Sequence, residues 1–195
     1  MSVRDWKKFT PFYFYTIVCI LAGVAAAKSE TRSTAEIIVL LLGGLISWAM
    51  IEYCLHRFIF HYKATTERTR AIIYKVHLIH HDYPKSVDDL FASLRMSIPI
   101  SAFYCLLAWS VVGSWQAVVY LFIGLIAGYF TYEWLHYHVH HGTPRFRVTR
   151  YLKKYHMLHH HQTPELRFGV TSPLIDLLFG TYRLKTTKTQ RAQRF

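Results

Sequence analysis

Four apolar runs set the plan of the chain. Residues 11–27 and 96–112 contain no charged side chain, while 37–55 and 117–134 are broken only by Glu52 and Glu133. None shows the polar face that a helix of a water-soluble bundle carries. At about 1.5 Å per residue such helices reach roughly 25–29 Å, close to the ~30 Å hydrocarbon core of a bilayer. The pattern predicts an all-α integral membrane protein with four transmembrane helices. The links 28–36 and 113–116 are short enough to force antiparallel neighbours, so the spans form two hairpins. Residues 56–95 and 135–195 are left to build a helical cap, and 1–195 reads as a single membrane domain. Gly124 and Gly128 predict close packing of the last span on another helix of the chain.

Charge orients these spans. Lys plus Arg exceeds Asp plus Glu by 23 to 11, a net charge of +12. Only Lys28 and Arg32 fall in the hairpin links; the rest lie in the N-terminal segment (Arg4, Lys7, Lys8), in 57–95 or after 142. Basic residues stay on the cytosolic side, so both termini and the cap are expected there. The expected membrane is the endoplasmic reticulum if the host is eukaryotic and the cytoplasmic membrane if it is bacterial. Anionic head groups account for the charge, and no nucleic acid is required. Trp6 and charged residues before the first run argue against a cleaved signal peptide. Cys19, Cys54 and Cys105 are odd in number and far apart, which excludes a disulfide scaffold.

The chemistry lies in thirteen histidines, all between positions 56 and 161. His77, His80 and His81 form His-x-x-His-His, and His156, His159 and His160 repeat it. Residues at i, i+3 and i+4 share a helix face, so each triplet presents three imidazoles together. His136 and His140 form an i, i+4 pair. His56 and His61 are five apart, about 140° around an α-helix, so they share a face only if the helix ends between them; otherwise each serves a different metal. Neutral imidazole suits iron, zinc, copper and nickel. These ten donors suffice for two metals with about five each, which leaves a position for oxygen or water. His138, His141 and His161 fit these patterns less well and read as ordinary polar residues.

Eleven acids are too few for the carboxylate-rich core of soluble di-iron bundles. Glu52, Asp82 and Glu133 nevertheless sit beside histidines in sequence. Metal-bound imidazoles commonly donate their second N–H to a carboxylate or carbonyl, so these three are candidate partners.

The stretches Glu52–His61, His77–Pro84, His136–His141 and Tyr151–His160, followed by Phe168-Gly169-Val170-Thr171-Ser172 and Phe179-Gly180-Thr181, resemble the fatty acid hydroxylase/sterol desaturase superfamily, in particular its fatty acid 2-hydroxylase type. The resemblance covers about 50–182. It implies a four-span domain whose cytosolic cap holds a dimetal centre bound by His56, His61, His77, His80, His81, His136, His140, His156, His159 and His160. It implies oxygen-dependent hydroxylation of a fatty acyl chain, free or in a sphingolipid, with C2 as the expected carbon. Even at a carbon next to a carbonyl, adding oxygen to a C–H bond needs activated dioxygen and hence a redox metal, so two iron ions are expected, with zinc able to replace them in purified protein. Some family members carry a fused cytochrome b5 domain. A chain of 195 residues has no room for one, so electrons are expected from a separate cytochrome b5 or a ferredoxin with its reductase. The segment Lys85–Met96, with Asp88 and Asp89, is longer than the family's usual connection. Three other readings stay open: a sterol or carotenoid hydroxylase, a desaturase, and a non-enzymatic zinc-binding membrane protein.

Overall fold

The computed structural model describes residues 8–183. Arg4, Lys7 and the part of the expected cap beyond Arg183 lie outside the described residues. Among the described residues there are helices and no strand.

Four helices are long and apolar enough to cross a membrane: α1 (Thr10–Lys28), α2 (Thr34–Cys54, continued by a π-helical turn to Phe60), α5 (Leu94–Val112) and α6 (Trp115–His141). Between and after them come α3 (Glu67–Ile73), a second π-helical turn (Tyr74–Leu78), α4 (Ile79–Asp82), α7 (Arg147–His161) and α8 (Leu174–Leu178). The spans predicted as 37–55 and 117–134 are longer in the structure, because the helical pattern runs on through the histidines. At 27 residues, α6 is about 40 Å long and exceeds a hydrocarbon core by roughly 10 Å. Its last turns carry His136 and His140.

The described residues divide into two compact units: those up to Trp48 with Val87–Glu133, and Ala49–Ser86 with those from Trp134 onward. In the first unit α2 begins at a capping box. The Ser33 N–H donates to Glu36 at 2.8 Å, and the Glu36 N–H donates to the Ser33 hydroxyl at 3.3 Å. Helix α5 stops where Gly113 turns left-handed (φ +61°). The two hairpin links meet, with the Arg32 guanidinium donating to the Ser114 hydroxyl at 2.6 Å.

Glycine sets the contact between α2 and α6. A Cβ at Gly124 would overlap the Leu41 carbonyl, and one at Gly44 would overlap the Leu121 carbonyl. At Gly128 it would press on Trp48 at 2.5 Å. The Gly-x-x-x-Gly signal is therefore spent inside the chain, on backbone-to-backbone approach. Around it, Phe12, Tyr15, Trp48, Phe122 and Tyr129 form an aromatic core, and Tyr15 bonds Ser101 at 3.0 Å. The segment with Asp88 and Asp89 returns to α1: Asp88 pairs with Lys8, and Phe91 packs on Phe9 and Phe12. Ile17, Leu21, Val39, Ile46, Phe103, Leu106 and Val111 are exposed, as side chains that face lipid must be.

Candidate functional site

The second unit gathers ten histidines into two groups of five. One comprises His56, His61, His77, His81 and His159; the other comprises His80, His136, His140, His156 and His160. Within each group one ring nitrogen per residue lies within 4.8 Å of all the others.

The local backbone explains the membership. The π-helical turn Leu55–Phe60 closes with the His61 N–H bonded to the His56 carbonyl at 3.1 Å. An i→i+5 bond returns the chain to the same face after five residues. His56 and His61 therefore join one group, which an α-helix would have denied them. The triplets behave differently from a shared face. In the first, His77 and His81 enter one group while His80 enters the other; in the second, His156 and His160 go together and His159 crosses over. Each group thus combines the i, i+4 pair of one triplet, the middle ring of the other triplet, and a pair from the end of a long helix.

The nitrogen separations fit a metal. Nε2 atoms approach at 3.1 Å (His56–His77), 3.0 Å (His77–His81) and 3.1 Å (His61–His159) in the first group. In the second they stand at 3.0 Å (His80–His140), 2.9 Å (His140–His156) and 3.0 Å (His156–His160). Metal–nitrogen bonds of about 2.1 Å at right angles place neighbouring donors about 3.0 Å apart, whereas a tetrahedral arrangement places them about 3.4 Å apart. These pairs have the spacing of neighbouring donors on one ion, and each whole group fits within 4.8 Å.

Two tautomers follow from the bonding. His56 Nδ1 lies 2.6 Å from the Phe168 carbonyl, and His159 Nδ1 lies 2.7 Å from the Leu166 carbonyl. A carbonyl can only accept, so both Nδ1 atoms carry hydrogen and both Nε2 atoms present lone pairs to their group. Burial also holds the rings neutral. It pushes His61 and His81 down to about 3 and His80 down to about 4, with repulsion from neighbouring imidazoles adding to it. His77, His156, His159 and His160 are lowered for the same reasons in the same order. Converging neutral lone pairs make a cation-binding arrangement.

Glu52 accepts from the Val170 and Thr171 N–H groups at 2.5 and 2.9 Å, and from the Thr171 hydroxyl. Glu133 accepts from the Ala92 N–H at 3.0 Å, and Asp82 is exposed. The partners of the His56 and His159 Nδ1 atoms are main-chain carbonyls of the loop after α7, which the spacing of acids and histidines did not point to. Outside both groups, His138 stacks on Trp134 at 5.4 Å, His141 stacks on Tyr137 at 4.8 Å, and His161 is exposed.

Known proteins share this outline. The chain is 35% identical over 175 residues to a dihydroceramide fatty acyl 2-hydroxylase of Arabidopsis thaliana, covering 87% of this chain and 70% of that one. It is 32% identical over 142 residues to the fatty acid 2-hydroxylase of Homo sapiens, covering 71% of this chain but only 38% of the human protein. The solved structure of full-length scs7p, in which only the hydroxylase domain is visible, superimposes with a TM-score of 0.81 at 28% identity; the match covers 91% of this chain and 67% of that one. Residues 41–181, most of the chain and all ten grouped histidines, match the fatty acid hydroxylase family, and the chain belongs to that family.

Proposed function

We propose that this chain hydroxylates C2 of a fatty acyl chain, free or within a sphingolipid, in an oxygen-dependent reaction at two iron ions. The observation that carries the reading is the pair of five-imidazole groups within one compact unit. The names of the relatives, fatty acid 2-hydroxylase and dihydroceramide fatty acyl 2-hydroxylase, support the substrate class and the carbon. One oxygen atom enters the C–H bond as hydroxyl and the other leaves as water, so two electrons and two protons balance the reaction. A separate cytochrome b5, or a ferredoxin with its reductase, supplies the electrons.

Iron held by His56, His61, His77, His81 and His159, and by His80, His136, His140, His156 and His160, would supply the oxygen activation that no side chain provides. The chain's own task is to keep those rings neutral, oriented and shielded from water. Burial does the first, and the Leu166 and Phe168 carbonyls orient two of the ten. The apolar surfaces of the spans suit the remainder of an acyl chain. The basic residues outside the hairpin links support a cytosolic location for the termini and both histidine groups, in the endoplasmic reticulum or the bacterial cytoplasmic membrane according to host. Taken together, 1–195 acts as one hydroxylase domain.

The test is mass spectrometry of lipids from cells expressing the wild type or His80→Ala under labelled dioxygen. The expected result is a 2-hydroxyacyl lipid that carries the label and disappears in the variant. A hydroxylated sterol or carotenoid would move the chain to another branch of the superfamily. A new double bond without label would make it a desaturase.

A further inference from the structure

The two histidine groups are supported unequally, and the difference leads to Asp176. In the group of His80, His136, His140, His156 and His160, the Nδ1 atoms of His80, His156 and His160 are buried without a hydrogen-bond partner among the described residues. In the other group, His56 and His159 are tied to carbonyls two residues apart on one loop. Between those carbonyls Arg167 takes φ +65°, a left-handed conformation uncommon outside glycine, so the loop is held there by its surroundings.

Buried carboxylates supply that hold. Four consecutive amides of the loop end on two of them: Phe168 and Gly169 donate to Asp176, both at 2.8 Å, and Val170 and Thr171 donate to Glu52. Asp176 is completely buried and also accepts from the Thr181 hydroxyl at 2.7 Å. A Cβ at Gly169 would stand 2.9 Å from its Oδ2, so the carboxylate lies directly against the main chain.

The Phe168–Gly169 peptide is the link. Its N–H donates to Asp176, and its carbonyl accepts from His56 Nδ1 at 2.6 Å. A carboxylate at one end of a peptide raises the acceptor strength of the other end, since hydrogen bonds in series polarise one another. The second carbonyl is connected to the same residue: the Arg167 N–H donates to the Thr181 carbonyl at 3.1 Å, and the Thr181 N–H donates to the Asp176 carbonyl at 2.8 Å. A carboxylate that receives a ligating histidine's second N–H usually strengthens that ligand. Here the same effect is transmitted through one peptide bond.

We propose that Asp176 is a positioning residue for the His56, His61, His77, His81 and His159 group, acting on His56 through the Phe168–Gly169 peptide and making this group the tighter of two metal sites. The proposal rests on the metal-binding reading above and deepens it. The test is metal release from the full-length, metal-loaded protein in detergent, challenged with a chelator and followed by elemental mass spectrometry. The wild type should release two metals in two phases, the slower of which is missing from His77→Ala. Asp176→Asn should quicken the slow phase by roughly 10–100-fold, the usual effect of losing an outer partner, and leave the fast phase unchanged. Should Asp176→Asn fail to fold, Thr181→Val removes one donor to the carboxylate and should quicken the same phase by less. Equal acceleration of both phases, or an unchanged slow phase in the folded variant, overturns the proposal. A wild type that binds no metal at either group defeats the functional reading itself, which separates the two failures.

Discussion

His80→Ala removes a ring that lies between His77 and His81 in sequence but belongs with His136, His140, His156 and His160. Its Nε2 stands 3.0 Å from His140 Nε2, so the substitution deletes one corner of that donor set and leaves the other five donors intact. Losing an outer partner of a ligand commonly weakens metal binding 10–100-fold, and losing the donor itself should exceed the upper figure, about 2.7 kcal/mol. Metal content after dialysis against a chelator should therefore fall from two ions per chain to one. Pairwise substitution sharpens the test, because residues sharing a site are coupled and residues at separate sites add. His80→Ala with His160→Ala should retain one metal, as either single variant does. His80→Ala with His81→Ala should retain none, although these two are adjacent. If the adjacent pair keeps one metal, the crossed arrangement of the triplets is refuted.

Other expectations follow from single features. Gly124→Val places a methyl-bearing carbon against the Leu41 carbonyl, which is main chain and cannot swing aside; the cost should be at least about 1–3 kcal/mol, seen as a lower melting temperature in detergent. His138→Ala, at a ring that stacks on Trp134 outside both groups, should keep both metals and most product formation in the lipid assay. In metal-free protein His61, His80 and His81 hold values of about 3, 4 and 3, below the ~6.5 of an unfolded chain. As pH falls below about 6.5 the unfolded state takes up protons that the folded state refuses, so stability falls; each of the three should contribute up to about 1.4 kcal/mol of loss by pH 5.5. Denaturant titrations of the metal-free protein at pH 7.5 and 5.5 check the sign.

The four spans were legible because apolar runs near bilayer length seldom occur in water-soluble folds. Their extension through the histidines was not, since His, Arg and Lys end a hydropathy window without ending a helix. The ten histidines that the structure gathers stand out by their spacing, whereas their division into two groups does not. Residues i, i+3 and i+4 do share a broad face, and two ions side by side can split it between them. His56 and His61 are united not by a helix end between them, as their spacing suggested, but by a π-helical turn, which leaves no mark in the pattern of apolar residues. The loop carbonyls of Leu166 and Phe168 were illegible for a different reason: any residue has a carbonyl, and only the fold says where it points. Asp176 carried one signal, a lone acid inside Leu-Ile-Asp-Leu-Leu in an acid-poor chain. A buried acid there must find donors, and it finds them five to eight residues away.

Anomalous X-ray scattering at the iron edge, on protein purified from iron-supplied cells, tests the proposed two-ion site directly. Two peaks per chain are expected, one surrounded by the Nε2 atoms of His56, His77 and His159 with their group, the other by those of His80, His140 and His156 with theirs. A single peak shared by all ten rings, or no metal peak in either group at the iron or the zinc edge, would contradict a centre of two separately held ions.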